Sequence, residues 1–142
     1  MSSPAELSAS ELPMDSTLTG PVLIIGSGLL GASIGLGLRA AGCEDVYVQD
    51  ISPTAEAVAQ DIGAGTSFST LSEEERTAFA PQLVVVAAPP DSAGAVCARA
   101  LNTYAPRPEA GYPGAVVTDV ASVKVQPLAD VLASGADASR YV

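Results

Sequence analysis

From Gly20 onward the chain alternates short apolar runs with stretches whose apolar positions recur every three or four residues. PVLIIG (21–26) reads as a buried strand, and Leu29 to Ala41 as a helix that is apolar nearly all round and stops at Gly42. DVYVQD (45–50), β-branched and aromatic, is a second strand. Ser52-Pro53 supplies an N-cap and a first-turn proline, and the following helix carries Ala55, Val58, Ala59 and Ile62 on one face before Gly63. GTSF (65–68) reads as a short third strand, and Ser72 with Glu75 as a capping box for a short helix through about Ala80. The acidic run Glu73 to Glu75 then fills the first turn of that helix, where the dipole favours it.

QLVVVAA (82–88) is the longest apolar run, as expected of a strand covered on both faces. After Pro89-Pro90, an Asp91/Ser92 cap opens a helix with Ala93, Val96, Cys97, Ala100, Leu101 and Tyr104 facing inward. APRPEAGYPG (105–114) is a loop, in which Tyr112 either covers an edge or meets a partner. AVVTDV (115–120) is a fifth strand. Val125, Leu128, Ala129 and Leu132 share a further helical face that Pro127 must begin or bound, and the chain stops at RYV, the start of a sixth strand. This alternation predicts an α/β fold, a doubly wound parallel sheet of Rossmann type with strand order 3-2-1-4-5-6, truncated at the sixth strand. Residues 1–19, with three acids, no base and many Ser, Thr and Pro, read as a disordered acidic leader, and 20–142 as one domain.

Composition removes several classes of function. A net charge of −10 works against nucleic acid and anionic membrane surfaces as partners. No apolar run approaches the ~18 residues that a membrane-spanning helix needs, and the first twenty residues lack the basic and apolar regions of a secretion signal. The expected location is therefore the cytoplasm, with Cys43 and Cys97 as reduced, structural thiols. With no histidine at all, the chain holds no imidazole base and no histidine-based metal site, and no metal is expected.

Chemistry concentrates at four strand ends. GSGLLGASIG (26–35) fits G-x-G-x-x-G directly after a strand. Gly26 permits the tight turn, Gly28 lets backbone approach a pyrophosphate, and Gly31 lets helix pack on sheet, with Gly35 extending that contact a turn later. Residues Gly26, Ser27, Gly28, Leu29, Leu30 and Gly31 thus form a candidate anion seat at a helix start, one that needs no lysine. Asp50, 19 residues after Gly31, ends the second strand where a carboxylate accepts hydrogen bonds from ribose hydroxyls. That carboxylate repels a 2′-phosphate, and no Lys or Arg follows before Arg76, so NAD is expected over NADP. Ala88, Pro89 and Pro90 offer an apolar, backbone-lined wall at the end of the fourth strand. Asp119, Ser122 and Lys124 gather at the end of the fifth, where they serve either chemistry or helix capping and solvation.

Together, GSGLLGASIGLGLR, the QD of the second strand, VVVAAPP and TDVASVK resemble the prephenate/arogenate dehydrogenase family, over nearly all of residues 21–142. The resemblance implies oxidative decarboxylation of prephenate (or arogenate) by hydride transfer to NAD in tyrosine biosynthesis. It maps the family serine of D-x-x-S-x-K, beside nicotinamide and substrate, onto Ser122, and leaves Lys124 without a firm role. The family's G-x-H-P segment would begin after Val142, and its helical substrate and dimer domain is expected to lie outside this chain. The chain is thus expected to be the cofactor-binding part of a longer, homodimeric enzyme, inactive alone, with an unfinished sheet edge that favours marginal stability or self-association. Two other readings fit the same residues: an imine or β-hydroxyacid reductase using NAD(P), and a non-catalytic module that senses NAD.

Overall fold

The computed structural model describes Leu18, residues 20–120 and residues 131–142. Strands β1 (Val22–Ile25), β2 (Val46–Gln49), β3 (Thr66–Ser67), β4 (Leu83–Val86) and β5 (Val116–Asp119) alternate with helices α1 (Leu29–Ala40), α2 (Pro53–Asp61), α3 (Glu73–Ala78) and α4 (Pro90–Thr103). Every strand pair is parallel, and the sheet order is β3-β2-β1-β4-β5. The chain winds outward from β1 to β3 and then returns to the other side of β1 with β4. The carboxyl ends of β1 and β4 therefore flank the point where the winding reverses, which is where such sheets open a crevice.

Alternation along each strand divides the core into two layers. Leu23, Val84, Val86 and Val117 pack with Ala93, Cys97, Ala100 and Leu101 of α4 on one face. Val22, Ile24, Val46, Val48 and Val85 pack with Ala32 of α1 and Ala59 of α2 on the other. Burial of each Val, Leu or Ile contributes roughly 1.5–3 kcal/mol, so a sheet covered on both faces stabilises itself with few aromatic residues. Next to β5, Tyr141 makes a parallel bridge with Val117, and Val142 N–H donates to Val117 O at 2.9 Å. This is the edge on which a sixth strand is expected.

Capping follows the sequence on α2 and α3. Ser52 Oγ accepts from Ala55 N–H at 3.2 Å, and Ser72 and Glu75 form the full reciprocal box. The cap of α4 differs from expectation. Pro89 holds the cap position, no side chain bonds there, and Asp91 and Ser92 lie inside the first turn. Pro90 brings a fixed φ and no N–H, so the helix starts at the proline and Ser92 Oγ turns back to donate to Pro89 O at 3.2 Å.

The faces of α2 and of the segment around Leu132 also differ from the periodicity, while α1 buries the glycine face expected of it. In α2 the buried residues are Glu56 and Ala59, while Val58 and Ile62 are each 52% exposed. The Glu56 carboxylate finds loop donors inside and turns the helix toward them. In α1 only Gly31, Ala32 and Gly35 are buried, and Leu29 and Leu36 face outward. The helix lies too close to the sheet for larger side chains. Val131, not Leu132, joins the core beside Leu101 and Val117. Ser122, Lys124, Val125, Pro127, Leu128 and Ala129 lie outside the described residues.

The loop after α4 is held by two arginines. Arg140 donates to Leu101 O, Tyr104 O and Ala115 O at 2.8, 3.1 and 2.8 Å, joining the end of α4 to the start of β5. Arg107 lies over the Tyr112 ring at 4.8 Å, and Tyr112 Oη donates to Pro81 O at 2.7 Å, so Tyr112 covers an edge of this chain. Cys43 and Cys97 are buried and not disulfide-bonded. Among the described residues no helix is long and apolar enough to cross a membrane.

Candidate functional site

β1 ends in a turn that only glycine fits. Gly26 has φ +101°, and a Cβ there would stand 2.7 Å from Ala87 O. One turn into α1, a Cβ on Gly31 would stand 1.9 Å from Gly26 O. These two contacts seat the helix start against the ends of β1 and β4. Gly28 differs: its φ of −69° suits any residue, and nothing lies within 4 Å of where its Cβ would be. The open space beside it is the cleft.

The start of α1 is left uncapped. No side chain bonds the cap position, and the first turn contains no acid. The helical ladder begins with Ala32 N–H donating to Gly28 O at 2.9 Å, so the N–H groups of Leu29, Leu30 and Gly31 precede it. Unsatisfied donors and the positive end of the helix dipole together favour an anion.

These groups line a cleft of about 630 Å³. Gly26, Gly28, Leu29, Leu30 and Gly31 form its α1 side. Ala87, Ala88, Pro89, Ser92, Val96 and Arg99 form the facing β4–α4 side, and Asp50 and Ile51 stand at the β2 end. A second cavity of about 330 Å³ shares Ile25, Asp50, Ile51, Val96 and Arg99 with it and runs on to Thr103 and Tyr104. Both volumes fall within the usual range for small-molecule sites, about 300–1,000 Å³.

Asp50 is already a hydrogen-bonding hub. Its Oδ2 accepts from Ser27 N–H at 2.7 Å and Ser27 Oγ at 3.0 Å, and its Oδ1 accepts from Ser52 N–H at 2.8 Å. Partial burial pushes its carboxyl upward, but these donors outweigh burial and hold it below the ordinary carboxylate value. A carboxylate offers about four acceptor positions; these donors, with the Ile51 backbone that also lowers it, engage its inner side while Asp50 itself lines the cleft.

Of the residues picked out in the sequence, Gly26, Gly28, Leu29, Leu30, Gly31, Asp50, Ala88 and Pro89 come together on the cleft wall. Ser27 lies behind it, its N–H and hydroxyl committed to Asp50. Pro90 begins α4 and is not among the lining residues. Asp119 is buried at the end of β5 and accepts from Tyr141 Oη. Sequence reading missed Arg99 and Glu56. Arg99 is 49 residues beyond Asp50, and only the β1–β4 neighbour relation brings its helix across the cleft. Glu56 carried a faint signal, an acid sharing a helical face with Ala59. Among the described residues, no His/Cys/Asp/Glu group could hold a metal ion.

No protein-family model matches the chain. The probable prephenate dehydrogenase NovF of Streptomyces niveus is 37% identical over 120 residues, which is 84% of this chain and 29% of that protein. The chain thus spans about three tenths of that relative's length. A crystal structure of prephenate dehydrogenase from A. aeolicus, in complex with hydroxyphenyl propionate and NAD+, superposes with a TM-score of 0.61 at 27% identity, covering 79% of this chain and 37% of that one. Mycobacterium tuberculosis shikimate dehydrogenase, at 22% identity and a TM-score of 0.52 over 87% of this chain and 44% of its own, shares the fold. On the strength of the sequence match and the A. aeolicus superposition, the chain belongs to the prephenate dehydrogenase family.

Proposed function

We propose that this chain is the NAD-binding part of a dehydrogenase acting on prephenate or arogenate. The observation that carries the reading is the uncapped start of α1, opening through Gly28 onto a cleft that ends at Asp50. The space and the donors suit a dinucleotide. The N–H groups of Leu29, Leu30 and Gly31 would hold the pyrophosphate, and the Asp50 carboxylate at the β2 end would take a ribose hydroxyl. Ala88 and Pro89 would exclude water from the reacting end. Bound there, NAD would supply a hydride acceptor for the carbon bearing a ring hydroxyl.

Ser122, on the segment after β5, is the residue we assign to orienting the substrate beside that acceptor. β5 pairs with β4, so its carboxyl end opens on the same side as the cleft. The sequence contains no histidine, hence no imidazole to accept the hydroxyl proton, and we assign this chain binding and not turnover. Arg99 adds a positive charge to the facing wall, partly offsetting the chain's overall charge of −10.

Calorimetric titration with NAD+ and NADP+ tests the reading. A 2′-phosphate beside Asp50 meets like charge, so NAD+ should saturate one site and NADP+ should bind about tenfold or more weakly. Tighter NADP+ binding would overturn the cofactor assignment and point to Arg99 as the phosphate's partner. No saturable binding of either would overturn the site.

A further inference from the structure

Glu56 is 1% exposed, and no cation pairs with it among the described residues. It is satisfied by donors instead. Its Oε1 accepts from Asp50 N–H at 2.9 Å, and its Oε2 from Ser69 N–H at 2.9 Å and from Ser67 Oγ. Burial raises its carboxyl, yet these bonds prevail and hold it below the ordinary value, so it stays ionised inside the fold. A buried carboxylate is costly unless every bond is made, and one donor here is the backbone of the very residue that faces the cleft.

The bonds form a continuous path. Glu56 holds Asp50 N–H, Asp50 holds Ser27 N–H and Oγ, and Ser27 sits between the two cleft-side glycines. Ser52 N–H braces the other carboxylate oxygen of Asp50 at 2.8 Å. Asp50 thus lines the cleft while its backbone N–H is held by Glu56, which is not among the lining residues.

We propose that Glu56 is a positioning residue for cofactor specificity: it fixes Asp50 so that the carboxylate accepts a ribose hydroxyl and rejects a 2′-phosphate. The inference rests on the dinucleotide reading of the cleft. In Glu56→Gln an amide NH2 replaces one acceptor oxygen and faces either Asp50 N–H or the Ser67–Ser69 donors, so one side of the anchor is lost at nearly constant volume. Asp50 can then turn away from the phosphate position.

The test is the ratio of NADP+ to NAD+ dissociation constants, measured by calorimetry on the full chain for wild type, Glu56→Gln, Asp50→Asn and the double variant. The loss of a hydrogen bond to a charged group predicts a roughly tenfold narrowing of the ratio in Glu56→Gln. In the Asp50→Asn background the same change should leave the ratio where Asp50→Asn already put it. A purely structural role would lower the melting temperature and weaken both cofactors alike, with the ratio intact; that result overturns the proposal. If Glu56→Gln does not fold, Glu56→Asp replaces it, since its shorter carboxylate cannot reach both Asp50 N–H and Ser69 N–H. A folded Glu56→Asp protein with the wild-type ratio would equally overturn the proposal. Failure of wild type to bind NAD+, or an unchanged ratio in Asp50→Asn, would instead refute the site itself and this inference with it.

Discussion

Two glycines three and six residues past the end of β1 look alike in sequence and differ in what they do. Gly31 is enclosed, with a Cβ position 1.9 Å from Gly26 O, and Gly28 stands over empty space with ordinary backbone angles. Gly31→Ala should therefore destabilise the fold by about 1–3 kcal/mol or more, because backbone must move to admit the methyl. Gly28→Ala should leave the unliganded protein as stable, or firmer by up to about 1 kcal/mol through a less flexible unfolded chain. Yet its methyl occupies the space the pyrophosphate needs, and NAD+ affinity should fall by more than about tenfold. Thermal melts and NAD+ titrations of the two variants check this pair of opposite outcomes. Equal effects of both substitutions on stability would contradict it. At this scale the sequence assigned Gly28 to open space and Gly31 to helix packing, and the Cβ positions of the two glycines agree with that division. What the sequence did not carry is the contact that fixes the turn itself, Gly26 against Ala87 O, more than sixty residues away in the chain.

Elements with local signals were legible from the chain itself. The strands declared themselves through unbroken apolar runs, and the caps of α2 and α3 through Ser52-Pro53 and Ser72–Glu75, because those bonds close within four residues. The inward face of α4 was legible too, since its apolar positions meet a uniformly apolar strand layer. Faces whose orientation depends on a distant partner were not. α2 turns Glu56 inward to meet Asp50, Ser67 and Ser69, and leaves Val58 and Ile62 outside. Periodicity counts an acid as outward and cannot foresee donors supplied by two other loops. The same limit hid Arg99, whose place at the cleft follows from the β1–β4 pairing and not from its own surroundings in the sequence.

For the whole molecule, buried polar groups make stability depend on pH at both ends. Asp50 and Glu56 have carboxyls lowered by their donors despite burial, so their contribution is complete above the ordinary carboxylate range and is lost as pH falls through the lowered values. Tyr112 is raised by burial from 10.0 to about 12, with Arg107 and Arg140 opposing. Tyr104 is raised by burial alone, and Tyr141 by burial and then by Asp119. Their contribution is complete below the ordinary tyrosine value and lost as pH rises, for Tyr112 between 10.0 and about 12. The urea midpoint should hold a plateau from about pH 5 to about pH 9 and fall on either side. A midpoint that climbs toward pH 3 would contradict this hydrogen-bonding scheme.

At the same scale, a chain of net charge −10 is proposed to hold a doubly charged pyrophosphate with backbone N–H groups and one helix dipole. Amide-resolved NMR of the 15N-labelled chain during NAD+ titration tests that claim most directly. The account predicts saturable shifts concentrated at Leu29, Leu30 and Gly31, with a second group at Ser27, Asp50 and Ile51. Saturation with those amides unmoved, or shifts centred elsewhere on the sheet, would contradict it.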